Sequence, residues 1–340
     1  MLSSTFTTLR EVAFDFEHAA PQPSNESLLL SEFERQLKRA VLQTLAYFDV
    51  FNFALTDWEV YKYLYIEGLA NKKVSYFQTR EILAQMPEAK YQDGFYNLTG
   101  QSELAPLRKE RQIIAREKYK RARLVAMLFS VLPFTKMVAV CNSLAYDNAR
   151  VESDIDFFII AKTGKTWTVR FLTTLILKIL RLRPTAETKQ NKICVNFIIG
   201  EGALNLQPLL IADDVYFKYW LKQLVPLYNQ GDIFAEFVQA NDFVNESVNN
   251  AVPALGCNQR KIEPGPMFKF IKNIFEMICD GNWAENFCQK IQLKMMPLNL
   301  KAQAGKGTAV VMTDDVLKFH EQDRREEYFN NWQDKLKGLK

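Results

Sequence analysis

Two short apolar runs set around an acidic pair constrain this chain more than any other stretch. Met137-Val138-Ala139-Val140 and Phe157-Phe158-Ile159-Ile160 carry no polar side chain. Runs of that length with no polar face read as strands buried on both sides, which calls for a sheet covered by helices. Between them lies a small polar turn, Asn142-Ser143, then a spacer of ten residues, then Asp154-Ile155-Asp156. Residues two apart on a strand face the same side, so both carboxylates point into one cleft. Like charges that close repel, and an unmatched pair raises one pKa. A divalent cation removes the conflict. Magnesium takes one or two carboxylates together with nucleotide phosphates, and metal ions neutralise charge on a transferring phosphorus centre.

The surrounding stretch, residues 133–245, alternates strand and helix signals and predicts an α/β (α+β) domain with a mixed sheet. Trp167 to Leu182 reads as an apolar helix, Ile193 to Ile199 as a third strand, and Val215 to Val225 and Phe234 to Val238 as helices. Gly164-Lys165-Thr166 resembles the end of a phosphate-binding loop, but that motif needs a glycine where Ile159 stands, so a helix-capping turn is the reading. Arg170, in the first turn of that helix, reads as a structural ion pair.

Ahead of this domain, residues 1–32 read as a flexible tail, broken by Pro21, Pro23, Ser24 and Asn25. Residues 33–103 read as a winged-helix-like module. Leu37, Val41, Leu42, Leu45 and Phe48 have helical spacing, and Thr56 with Glu59 and Ser75 with Gln78 form capping boxes. Pro87 closes the third helix, and Asp93-Gly94 turns a hairpin. The third helix offers Gln78, Thr79 and Arg80 behind Lys72 and Lys73, but Glu81 opposes them. Packing or protein contact is therefore favoured over DNA reading. Residues 104–132 read as a linker helix with eight Lys or Arg and two Glu between Arg108 and Arg123, a solvated face or a nucleic-acid contact.

The region 246–340 reads as mainly helical, with a strand near Thr308 to Met312. Phe268, Ile271, Phe275 and Ile278 recur at helical spacing and read as core. His320, Asp323 and Arg324 read as a surface cluster on one helical face. With only two histidines in the chain, no Ser-His-Asp or Cys-His catalytic set has support. The five cysteines include no Cys-x-x-Cys pair and read as reduced structural thiols. Met1 to Asp15 lacks a basic start and a long apolar run, and the longest apolar runs, Leu124–Leu132 and Phe171–Leu182, are too short to span a bilayer. A cytoplasmic protein with no membrane partner is expected.

The apolar strand, the small polar turn, the spacer and Asp-x-Asp before a second apolar strand resemble the DNA polymerase beta-like nucleotidyltransferase superfamily. The resemblance covers about a hundred residues. It implies that Asn142 and Ser143 form the turn at the nucleotide phosphates, that Asp154 and Asp156 are catalytic and bind magnesium, and that a nucleoside triphosphate is the donor. The acceptor would be a small molecule, a protein side chain or an RNA end. The winged-helix order ahead of the domain is similar to an arrangement in uncharacterised bacterial relatives. Two positions depart from the family pattern. Asn142 stands for the turn glycine, and Asn tolerates left-handed backbone. Asn196 stands on the strand that usually carries a third carboxylate, and an amide cannot act as a base. Glu201, Asp213 and Asp214 are the acidic residues that would replace it if they fold nearby. A carboxylate near Asp154 and Asp156 would favour an enzyme. Asn196 alone would favour a catalytically weakened nucleotide sensor acting through the winged-helix module.

Overall fold

The computed structural model describes residues 25–66, 73–100, 104–185, 187–252 and 260–339. Most of the predicted tail, together with His18, Lys72 and Cys257, lies outside the described residues. From Asn25 onward, however, the backbone is helical, so the tail reading overruns the first helix.

The N-terminal elements follow their local signals. Helix α1 (Asn25–Val50) leads to α2 (Asp57–Lys62) and α3 (Tyr76–Gln85). Both predicted capping boxes form, with Thr56 Oγ1 accepting from Glu59 N and Ser75 Oγ from Gln78 N. Each satisfies backbone N–H groups that a helix start leaves unpaired. Strands β1 (Ala89–Gln92) and β2 (Phe95–Leu98) pair through a two-residue turn with φ of 52° at Asp93 and 90° at Gly94. Such positive φ values are the reason Asp-Gly suits a hairpin. Helix α4 (Leu104–Ser130) follows.

Next come β3 (Thr135–Val140), α5 (Asn142–Ala145), β4 (Ile155–Ala161), α6 (Thr166–Ile179), β5 (Ile193–Gly200) and α7 (Val215–Gln223). The chain continues through β6 (Val225–Asn229), α8 (Ile233–Ala240), α9 (Pro266–Cys279), α10 (Asn282–Met295) and α11 (Leu298–Gln303). It ends with β7 (Val310–Met312), β8 (Val316–Phe319) and α12 (Arg325–Lys337). Six strands form one mixed sheet in the order β6-β3-β4-β5-β8-β7, with only β4 and β5 parallel. The α/β (α+β) reading therefore holds. The sequence does not predict β6 or β8. Pro226 sits in β6, which is an edge strand, where a missing N–H is tolerated. Strands β7 and β8 come from the mainly helical C-terminal region.

Both faces of the sheet are buried, as the apolar runs require. Phe158 and Ile160 face one cluster with Phe197, Trp220 and Phe237, while Phe157 and Ile159 face another with Phe129 and Trp167. The N-terminal helices share the first cluster: Tyr47 stacks on Tyr219 at 4.1 Å, and Trp332 of α12 donates to Gln43 O. No described helix is long and apolar enough to cross a membrane. The core reading of α9 fails, because Phe268, Phe275 and Ile278 are exposed.

Candidate functional site

The floor of the site is laid by the pairing of β4 with β5. Asp156 lies opposite Cys194, and the register shifts by one residue before Phe158 and Phe197 pair. This bulge falls beside the acidic pair, where an extra residue re-aims side chains. It brings the Cys194 thiol and the carboxylates of Asp154 and Asp156 together, with one ligand atom of each within 4.8 Å of the others. The sequence predicts the two aspartates. It does not single out Cys194, whose contact depends on strands joined across an entire helix.

Without a cation the cluster is electrostatically unsatisfied. Burial, and then the neighbouring charge of Asp154, pushes Asp156 up to about 7, against hydrogen bonds from Asn142 and Cys194. Asp154 is raised by burial, opposed by Lys189 and Lys118. Burial and both carboxylates raise the Cys194 thiol, which donates to Asp156. Divalent metal would relieve all three. Two carboxylates suit magnesium with substrate phosphates, whereas a thiolate adds a soft donor favoured by zinc.

Asn142 takes the left-handed position of the turn, with φ of 57°. Its Oδ1 accepts from Trp220 Nε1 at 3.1 Å and from Tyr216 Oη at 3.3 Å. Those bonds aim its amide at Asp156, so Asn142 buttresses a carboxylate. Ser143 is half-buried and does not line the cleft, and its carbonyl accepts from Asn148 N.

A cleft of about 560 Å³ opens over Asp156, with Asn142, Asn196 and Trp220 along its base. Its walls carry Arg170, Arg183, Lys189 and Lys318. Arg170 forms no ion pair among the described residues. It donates to Gln292 at 2.6 Å and lies over the Phe319 ring. Burial lowers Lys318 to about 8 and His320 to about 3. His320 lines the cleft from the end of β8, while Asp323 and Arg324 precede α12, so the three share no helical face. A larger hollow of about 860 Å³ between α1 and α12 includes Asp213 but no cluster of ligating groups.

No candidate third carboxylate joins the pair among the described residues. Glu201 sits 3.8 Å from Lys136 beyond the other end of β5. Asp214 caps α7 and pairs with Arg325 at 2.6 Å. The third group at the pair is a thiol, with Asn196 further along the cleft.

No protein-family model, curated protein or solved structure matches this chain.

The geometry of the site extends into α4. Its basic residues do not form a uniform solvated face. Arg108, Arg111 and Lys118 are buried and turned inward. Lys118 Nζ donates to Ser153 O at 2.6 Å, Val151 O at 3.1 Å and Asn191 Oδ1 at 3.2 Å, gripping the segments that lead into both β4 and β5. Arg111 donates to Asn148 Oδ1 at 2.7 Å, and Arg108 pairs with Glu59 at 2.7 Å. Arg116, Lys120, Arg121 and Arg123 remain exposed.

Proposed function

We propose that the cleft binds a nucleoside triphosphate with a divalent cation and transfers its nucleotidyl group to an acceptor. The convergence of Asp154, Asp156 and Cys194, with Asp156 reaching the base of a cleft walled by cations, carries this reading. Magnesium, held by Asp154 and Asp156, would neutralise charge on the phosphates. Arg170, Arg183 and Lys189 supply positive charge for the outgoing phosphates. Trp220 and Tyr216 fix Asn142, and Asn142 orients Asp156. In the reaction an acceptor oxygen bonds to the α-phosphorus, the bridging α–β P–O bond breaks, and pyrophosphate leaves. The acceptor proton passes to solvent or to a basic group. A small molecule, a protein side chain or an RNA end all satisfy this chemistry.

A second reading is favoured by one observation, the thiol where a third carboxylate would serve. In that reading the cleft senses a nucleotide without turnover, and the N-terminal helices and hairpin act as a winged-helix module that relays occupancy to a partner. Exposed Arg116 and Arg123 on α4 leave nucleic acid as one such partner.

Incubation with labelled nucleoside triphosphates and magnesium separates the readings. Transfer requires label on the protein or on an acceptor in cell extract, falling at least about a hundredfold in Asp154→Ala/Asp156→Ala. Equal label from wild type and variant ends the catalytic proposal. Saturable nucleotide binding without transfer, lost in the same variant, supports the sensor.

A further inference from the structure

Helix α9 is mounted with its polar side inward. Lys272 is buried and donates to Thr135 O, to Tyr228 Oη at 3.1 Å and to Gln230 Oε1 at 3.0 Å. Glu276, one turn on, accepts from Phe134 N at 2.7 Å. At the C-terminal end, Lys165 Nζ donates to the carbonyls of Cys279, Asp280 and Gly281. The opposite stripe, Met267, Phe270, Ile274, Met277 and Ile278, is between 38 and 76% exposed. A surface helix ordinarily buries its apolar stripe and exposes its charges. Here the arrangement is reversed, and the apolar surface continues to Trp283 and Phe287 at the start of α10, both more than half exposed.

Charge indicates what covers this face. Residues 266–301 contain three carboxylates, Glu276, Asp280 and Glu285. Each is engaged within the protein. Glu276 is bound as above, Asp280 pairs with Lys162 at 2.8 Å, and Glu285 accepts from Trp167 N and Thr168 N at 2.8 and 2.9 Å. Lys269, Lys290, Lys294 and Lys301 are exposed and form no ion pair among the described residues. Lys290 and Lys294 continue the stripe of Trp283 and Phe287, spaced four, three and four apart. Apolar and aromatic groups bordered by unpaired cations, with each acid already bound to a group of the protein, complement an anionic lipid surface. A protein interface fits less well, because such interfaces favour Arg and deplete Lys, and this segment contains no Arg.

We propose that the outer face of α9 and the first turns of α10 seat the protein on an anionic membrane surface. The helix lies in the interface without crossing, and lysines flank its inserted stripe. This inference is independent of the chemistry in the cleft.

Flotation of the full chain with phosphatidylcholine vesicles, with and without a quarter of phosphatidylglycerol, tests it. The expected result is about tenfold more protein on the anionic vesicles in low salt, with most of that gain lost in high salt. Phe270→Ser/Met277→Ser lowers binding about tenfold. Lys290→Glu/Lys294→Glu removes the preference for anionic vesicles. All four side chains are exposed, so circular dichroism and the denaturation midpoint remain at wild-type values. Failure to bind anionic vesicles, equal binding to neutral ones, or wild-type binding by the Phe270→Ser/Met277→Ser protein overturns the proposal. So does self-association that this variant abolishes in the absence of vesicle binding, an outcome that assigns the face to a second copy of the chain.

Discussion

Two charged clusters, one buried and one half-buried, contribute to the lining of the same cleft and are built on opposite terms. Arg325, at the start of α12, is buried and fully engaged. Its guanidinium meets Asp214 at 2.6 Å, Asp323 at 2.6 Å, Thr308 Oγ1 at 2.6 Å and Leu209 O at 2.9 Å. Asp156 is raised by burial and by the charge of Asp154 with no basic side chain to offset it, while Lys189 and Lys118 offset only part of the burial at Asp154. A matched buried charge is costly to break, because its partner is left buried and unpaired. An unmatched one costs stability and persists only where something else depends on it. The difference separates a structural clasp from a candidate site without reference to any other protein.

Removing charge should therefore have opposite signs at the two clusters. Arg325→Ala leaves Asp214 buried without its cation and is expected to destabilise by about 3–5 kcal/mol in denaturant titration. A loss within error of zero would erase the contrast. Asp156→Asn is expected to stabilise the metal-free protein by roughly 2–4 kcal/mol at pH 8. The sign follows from the raised pKa. The folded state holds this proton more tightly than the unfolded chain, so the ionised carboxylate is a penalty that is full above about 7. The advantage of Asn shrinks as pH falls below 7 and vanishes below the ordinary aspartate value near 4. Added magnesium should raise the wild-type melting temperature and leave Asp156→Asn unchanged. Unfolding curves for the two proteins that superimpose at pH 8 would count against an unmatched pair.

Weaker tests concern places remote from both clusters. Thr56→Ala and Ser75→Ala each remove a side-chain cap and are expected to cost about 1 kcal/mol, with some coupling because Tyr76 in the first turn of α3 donates to Asp57 in the first turn of α2. Either variant shifting nucleotide affinity would mean that the N-terminal helices couple to the cleft.

These caps were legible in the sequence because both partners lie within four residues of one another. The same is true of the Asp93-Gly94 turn and of the acidic pair. Cys194 was not legible, because it meets Asp156 only once β5 lies parallel to β4, with a bulge that no local pattern announces. Strand β8 hid behind Lys318, a buried cation in a four-residue run. Helical spacing in α9 gave the helix, but it picked Phe268, Ile271, Phe275 and Ile278 as a core stripe, and spacing cannot say on which side the rest of the protein lies. The inward-turned Arg108, Arg111 and Lys118 of α4 illustrate the same limit. A basic run reads as solvated until the carbonyls it binds are known.

The grip of Lys118 has a mechanical consequence. One ammonium fastens the approaches to both strands that carry the donor atoms, while the same rod, through Arg108 and Arg111, is bolted to Glu59 and Phe51 in the N-terminal helices and the turn between them. The spacing of the donors is thus tied to the seating of a distant part of the chain. Any rotation of that shaft must break these bonds or carry the acids with it.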